Sequence, residues 1–251
     1  MIMKNTDIKI KNISDLKRLG YLIIDNFLTI RECETLLKTI ANYRQKKYEV
    51  TEVYRPFKER DLRYFVINGQ QIEKYLPEVW QLYENVNLLV NKVSSQVLFP
   101  LSNKLPAVNI NIIKPGGEYR WHYDRNAVTA LLYLNSVEGG ELEMYPNYRL
   151  RFGRKNQQFT FIQKCLDAVV KLKLIRYFFG KKVFIKPRQG MIVIMQGDKC
   201  LHSVKALEGE QERINVVMSY DFPGVEFIVE KGLDSYLYTN QKGISSDPNY
   251  V

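Results

Sequence analysis

Apolar residues fall into two rhythms along this chain, one of period two and one near 3.6. After Gly20 the run Tyr-Leu-Ile-Ile-Asp-Asn-Phe-Leu28 reads as a short buried strand. Thr29 and Glu32 then form a capping box, and Cys33, Leu36, Leu37 and Ile40 follow at helical spacing, so residues 13–42 are expected as strand then helix. Residues 43–70 interleave Tyr54, Arg55, Arg60, Arg63 and Tyr64, and are expected as a connection, either solvated or serving as a substrate loop. Residues 71–98 carry Val79, Leu82, Tyr83, Val86, Val90, Val93 and Val97 at helical spacing, which predicts one long amphipathic helix backing a sheet. The stretch 106–113 then reads as a strand with Asn109 and Asn111 on one face, and 191–195 as another strand. From 213 to 220 the alternation is strict. It puts Arg213, Asn215, Val217 and Ser219 on one face and Ile214, Val216, Met218 and Tyr220 on the other.

Length and composition add limits to this pattern. A chain of 251 residues suits a single all-β barrel unit and can bury about three quarters of its unfolded surface without staples. Cys33, Cys165 and Cys200 are scattered and odd in number, which argues against a disulfide framework. The first residues lack a charged segment followed by an apolar one, and no apolar run reaches the roughly 18 residues a spanning helix needs, so a cytoplasmic location is expected. Phosphate loops, nucleophile elbows, zinc-finger spacings and internal repeats are absent from the sequence.

Charge is concentrated in one place. Residues 147–188 contain 12 Lys or Arg against a single acid, Asp167, a net +11, whereas the whole chain carries +10. Everything else therefore sums to about −1. Inside this basic segment Phe161, Cys165, Ala168, Leu172, Ile175 and Phe179 recur at helical spacing, with Lys164, Lys171 and Arg176 off that line. The segment is expected as a lid packed on the barrel with a solvated cationic edge, as a site for an anionic substrate, or as a membrane-surface element. No nucleic-acid partner is expected, because the wider chain is not basic.

Candidate chemistry lies in two short stretches. His122 and Asp124 stand two residues apart, so on an extended strand both would point to one face. They are either a hydrogen-bonded surface pair or two members of a 2-His-1-carboxylate metal site. The only other histidine, His202, lies 80 residues later, just after the run 191–195. Eleven residues beyond it Arg213 opens the alternating strand, where it is either solvated or, if aimed into a barrel, in need of a carboxylate partner.

These stretches together resemble the 2-oxoglutarate- and Fe(II)-dependent dioxygenase superfamily, in its prolyl 4-hydroxylase-like branch. The resemblance spans roughly residues 105–222. It is carried by Pro115-Gly-Gly-x-Tyr-x-x-His-x-Asp124, by Leu131-Leu-Tyr-Leu-Asn135 with Glu138-Gly-Gly-Glu-Leu142, by 187–195, and by His202-Ser-Val with Arg213. It implies a mainly β fold with supporting helices. Its core would be a double-stranded β-helix (jelly-roll, cupin-like) at 105–222, interrupted at 147–188, with N-terminal α/β support at 1–104 and a peripheral tail at 223–251, all in one domain of 1–251. It also implies that His122, Asp124 and His202 bind Fe(II). Arg213 would pair the distal carboxylate of 2-oxoglutarate, and Tyr133 would add a phenolic hydrogen bond to it. Asn109, Asn111, Trp121 and Arg125 are the candidate substrate contacts. Many relatives have a tyrosine nine residues before the first histidine, where this chain has Ile113, so that contact is absent or replaced. Related halogenases carry Gly or Ala at the third ligand position, and Asp124 therefore favours hydroxylation.

The implied reaction hydroxylates an unactivated C–H of a small-molecule or lipid-like substrate, anionic in one version, using O2 and 2-oxoglutarate, with ascorbate as a stimulant and succinate and CO2 as products. The alternatives are a prolyl or other residue hydroxylase acting on protein or peptide, a zinc-dependent hydrolase using the same ligands, and an inactive binding scaffold. Location at a membrane surface through 147–188 is the peripheral version of the cytoplasmic expectation.

Overall fold

Strict alternation along the last long strand is what divides the molecule into two interiors. The computed structural model of the protein describes residues 15–55, 62–94, 96–150, 161–170 and 172–224. Arg60, Lys171, residues 151–160 and all of the expected tail beyond Gly224 lie outside these. In chain order the elements are α1 (Asp15–Leu19), β1 (Tyr21–Ile24), α2 (Ile30–Gln45), β2 (Thr51–Arg55), β3 (Leu62–Ile67), α3 (Gly69–Tyr75) and α4 (Pro77–Val93). Then come β4 (Phe99–Pro100), α5 (Lys104–Ala107), β5 (Val108–Ile113), β6 (Tyr119–His122), β7 (Val128–Tyr133), β8 (Leu142–Tyr145), α6 (Phe161–Val170) and α7 (Lys173–Phe179). The chain continues through β9 (Val183–Ile185), β10 (Ile192–Met195), β11 (Leu201–Val204) and β12 (Arg213–Asp221).

The strands form two antiparallel sheets. The larger runs β1-β10-β7-β12-β5-β3-β2, with β4 on β12, and the smaller runs β6-β11-β8-β9. This is the expected jelly-roll architecture with helical support. Val216, Met218 and Tyr220 of β12 face one hydrophobic core, shared with Leu36, Ile40, Val79, Leu82 and Val86 of α2 and α4. The opposite face of the large sheet meets the small sheet in a second core that includes Leu131, Tyr133, Val193, Leu142, Met144 and Val204. The α4 helix is cross-braced to β12: Tyr83 Oη donates to the Ser219 carbonyl at 2.8 Å, and Tyr220 Oη donates to the Tyr83 carbonyl at 2.8 Å.

Local signals place several boundaries. The expected capping box is present: Glu32 N donates to Thr29 Oγ1 at 3.2 Å, and Thr29 N donates to Glu32 Oε2 at 2.9 Å. The first strand is shorter than expected, because Asn26 takes a left-handed conformation at φ 53° and turns the chain. The single helix expected over 71–98 is two helices, since Pro77 begins a new one after Leu76 and its ring is compatible only with a helix start. Val97 lies beyond α4 and is exposed.

Two expectations are corrected more deeply. Residues 43–70 are not a plain connection: β2 and β3 form a hairpin, and β3 pairs with β5 through Phe65–Ile112, Val66–Asn111 and Ile67–Ile110. The described part of the basic segment packs on the barrel away from the cavity between the sheets, since none of its residues 161–170 or 172–188 lines that cavity. Trp121, Tyr145 and Leu201 cluster on the outer side of the small sheet, where Arg176 of α7 reaches them. The expected apolar line is also reversed, because Cys165, Ala168, Leu172 and Phe179 are exposed whereas Arg176 is buried.

Candidate active site

The site grows out of one cross-strand pair. In the small sheet β6 and β11 are antiparallel, and His122 lies directly opposite His202. A bulge separates that pair from the next, Tyr119 opposite Val204, so three steps along β6 match two along β11. The extra residue lets Tyr119 and His122 face the same side, with ring centroids 4.7 Å apart. Asp124 lies just past the end of β6, where its backbone N–H donates to the Gly197 carbonyl at 3.1 Å.

His122 Nε2 is 3.3 Å and His202 Nε2 is 3.6 Å from Asp124 Oδ1. Ligand atoms of the three residues all lie within 4.8 Å of one another, the one such His/Cys/Asp/Glu group among the described residues. The other nitrogen of each ring is engaged: His122 Nδ1 lies 2.9 Å from the Arg120 carbonyl, and His202 Nδ1 lies 3.0 Å from the Cys200 carbonyl. A carbonyl only accepts, so each Nδ1 carries a proton. In the neutral ring that leaves the Nε2 lone pair directed at the shared centre. Burial and the neighbouring His122 push His202 down to about 4 against the opposing pull of Asp124, so it is neutral at pH 7. Burial would raise the Asp124 carboxyl, but His202, His122 and Thr129 outweigh it and hold it at about 2. The Nε2 atoms of His122 and His202 and the Asp124 carboxylate form a donor set for a divalent metal ion with open positions.

Residues with no motif of their own hold this arrangement. Thr129 Oγ1 donates to Asp124 Oδ2 at 2.5 Å, and Asn126 Nδ2 donates to Thr129 Oγ1 at 2.9 Å. Gly197 closes the far side. A Cβ there would sit 2.7 Å from Thr129 Oγ1 and 2.8 Å from Asp124 Cβ, closer than real side chains approach. Thr129, Asn126, Tyr119 and Gly197 were not legible as site residues, because each acts through a partner far away in sequence or across a turn.

The cluster opens into a cavity between the sheets. Arg213, Asn215, Val217 and Ser219 line it together with Asn109 and Asn111, so the residues that each alternation puts on one face share it, and in both strands that face is the inner one. Arg125 lines it too. Trp121 does not: it lies on the outer side of the small sheet under the Arg176 guanidinium, 4.5 Å from its ring centroid, so it is not a substrate contact. Phe65 pairs with Ile112, and one further step brings Tyr64 beside Ile113, so phenols of Tyr64 and Tyr119 line the cavity where the expected tyrosine is replaced by Ile113.

Arg213 is buried, with its guanidinium 5.0 Å from the centre of the Tyr133 ring. No carboxylate of the described residues pairs with it, and its Nε and the Tyr133 hydroxyl have no hydrogen-bond partner among them. Burial raises the Tyr133 phenol, partly offset by Arg213, so the hydroxyl keeps its proton. Arg213 lines the cavity and Tyr133 does not, and a buried cation is costly unless an anion accepts from it.

Comparison with known proteins adds a match over part of the chain. Residues 108–220 match the model of the 2OG-Fe(II) oxygenase superfamily. Similar solved structures include SnoK, a non-haem α-ketoglutarate-dependent carbocyclase from nogalamycin biosynthesis, with 16% identity, TM-score 0.64, and 85% of this chain and 84% of that one covered. A prolyl hydroxylase from Trichoplax adhaerens, in complex with a hypoxia inducible factor oxygen degradation domain peptide fragment, has 18% identity and TM-score 0.59 over 83% of this chain and 86% of that one. The epimerase SnoN, in complex with Fe3+, α-ketoglutarate and nogalamycin RO, has 13% identity and TM-score 0.58 over 88% and 92%. At these identities the structural likeness is one of fold. No curated protein matches the sequence.

Proposed function

From the match of residues 108–220 to the 2OG-Fe(II) oxygenase superfamily, we propose that this chain is such an oxygenase and hydroxylates an unactivated C–H bond of a small molecule. In this proposal His122, Asp124 and His202 hold Fe(II), and Arg213 with Tyr133 holds the distal carboxylate of 2-oxoglutarate. The observation that carries the proposal is Arg213, a buried cation with no ion-pair partner among the described residues, lining the same cavity as the His/Asp/His cluster. A zinc hydrolase would use the three ligands and leave that cation without a task.

When bound, Fe(II), 2-oxoglutarate and O2 supply an oxidant able to break an unactivated C–H bond, with succinate and CO2 released. The protein's own contribution is positional and electrostatic. Two Nδ1–H groups fixed on backbone carbonyls hold the imidazoles in the tautomer that ligates through Nε2. Thr129 fixes the rotamer of Asp124, so the carboxylate presents Oδ1 to both rings. The planar Arg213 fork offers paired N–H donors to a carboxylate, and the Tyr133 O–H adds a third. Ile113, Leu131, Leu142, Met195, Val204 and Val217 line the rest of the cavity with apolar surface, which limits water around the reacting centre. Asn111 and Asn215, cross-strand partners on β5 and β12, each have a side-chain oxygen without a hydrogen-bond partner. They are suited to accept from substrate hydroxyl or N–H groups. Asp124 occupies the position a halide would need, which favours hydroxyl transfer.

A small-molecule substrate is supported by the lining of the cavity, apolar side chains with a few convergent polar groups from Asn109, Asn111, Arg125 and Asn215. The test is release of succinate and CO2 from 2-oxoglutarate by the purified protein with Fe(II) and ascorbate. Turnover should be accelerated by a metabolite fraction and lost in His202→Ala. Acceleration by proline-containing peptides instead would assign a peptide substrate. No 2-oxoglutarate turnover in the metal-loaded protein would overturn the reading.

A further inference from the structure

The helices α6 and α7 are turned inside out. In α7 the buried residue is Arg176, whereas Leu174, Tyr177, Phe178 and Phe179 are 71%, 78%, 72% and 78% exposed. The same inversion holds in α6, where Gln163 and Asp167 are buried with Val170 while Ile162 and Val169 are exposed. Leu172 in the connection and Phe184 on β9 extend the apolar surface.

The inward polar face is satisfied, so the orientation is not a frustrated packing of the opposite one. Arg149 donates from Nε to Asp167 Oδ1 at 3.0 Å and from its Nη2 to Oδ2 at 2.5 Å, and Gln163 Nε2 donates to the same carboxylate at 2.8 Å. Tyr148 Oη donates to the Val170 carbonyl at 2.8 Å. The Arg176 guanidinium stacks on Trp121. Flipping either helix to bury its apolar stripe would strand these buried charges, which is costly.

A contiguous group of exposed aromatic and aliphatic side chains on a water-facing surface marks a contact surface. Its surroundings choose the partner. Lys173, Lys181 and Lys186 are exposed around it, within a segment of net +11. Aromatic tips ringed by lysines fit the boundary of an anionic bilayer, where the rings enter the headgroup layer and the lysines meet lipid phosphates and carboxylates. A second copy of the chain would bring the same cations face to face. We propose that the α6–α7 face docks the protein on an anionic membrane surface through Leu174, Tyr177, Phe178 and Phe179, with the surrounding lysines as the electrostatic rim. No described residue of 161–188 lines the cavity, so docking leaves the site on the inner face of the small sheet uncovered.

The experiment is co-sedimentation of the full chain with phosphatidylcholine vesicles, with and without about one third phosphatidylserine. The wild type should pellet with the anionic vesicles and not the neutral ones, and lose most of that binding between about 0.05 and about 0.5 M salt. Tyr177→Ser/Phe178→Ser/Phe179→Ser and, separately, Lys173→Gln/Lys181→Gln/Lys186→Gln should each weaken it by about tenfold or more. The substituted side chains are exposed, so the thermal midpoint should be unchanged, which separates lost docking from lost folding. Absence of wild-type binding to anionic vesicles, or equal binding by the variants, would overturn the proposal. A dimer in sedimentation velocity that the aromatic variant dissolves, without vesicle binding, would overturn it in favour of an interface between copies.

Discussion

His122 and His202 are 80 residues apart in sequence and directly opposite in space, with ring centroids 4.1 Å apart on neighbouring antiparallel strands. Neither strand can shift without changing this pair, so the geometry of the candidate metal site depends on the β6–β11 pairing.

Divalent metal should therefore stabilise the folded protein and need all three residues. Fe(II), or Mn(II) under air, should raise the thermal midpoint of the wild type, and a chelator should reverse the shift. Asp124→Ala and His202→Ala should remove the shift and the turnover together. A full metal-dependent shift in His202→Ala would exclude it as a ligand.

Support of Asp124 by Thr129 should be worth about 10- to 100-fold in metal affinity, the usual effect of removing a group that orients a ligand. Thr129→Val keeps the shape and deletes the hydrogen bond, so calorimetric titration should report weaker binding with a near-normal fold. Gly197→Ala should do the same by crowding Asp124 and Thr129. Metal affinity within twofold of wild type in both would show the carboxylate held elsewhere.

Arg213→Ala should weaken 2-oxoglutarate by at least about tenfold, since truncating one partner of a buried charge pair costs about 2–5 kcal/mol and about 1.4 kcal/mol is tenfold. Arg213→Lys should restore part of this, keeping charge but not the paired donors. The apparent constant for 2-oxoglutarate in steady-state assays decides, with metal affinity expected unchanged.

Acid should destabilise the metal-free protein. His202 is held at about 4 against an ordinary 6.5, so the unfolded chain binds the extra proton first and stability falls as pH drops from about 6.5 to about 4. Asp124, at about 2 against 3.8, adds a second loss below about pH 4. Denaturant midpoints across that range should show a shallower upper limb in His202→Gln. An identical pH profile would mean His202 does not titrate this way.

Breaking the buried Arg149–Asp167 pair should cost about 3–5 kcal/mol, because it strands Asp167 in the interior. Arg149→Met with Asp167→Asn should recover much of that loss, and urea midpoints measure both. Equal stability of wild type and Arg149→Met would show that the pair does not hold α6.

The sequence by itself determined much of this protein because the relevant information was local. A capping box names its own partners three residues away, and period-two alternation fixes which residues of β5 and β12 share a face. The His-x-Asp spacing put two donors close in sequence, but Asp124 lies past the end of β6 and is oriented by Thr129. Tertiary structure decided what depends on a distant partner or on a sign. Within 43–70, β2 and β3 depend on the edge that β5 offers to β3, which no local pattern reports. Trp121 adjoins His122 in sequence yet faces the opposite side, since neighbours on a strand diverge. Thr129 and Gly197 matter through Asp124 alone. For α6 and α7 the sequence gives the axis of an apolar stripe but not its direction, because a stripe looks the same whether it faces the protein or its surroundings. Arg149, Asp167, Trp121 and Arg176 settle that direction by pairing polar groups on the inner face, and they can do so only once the chain has brought them together.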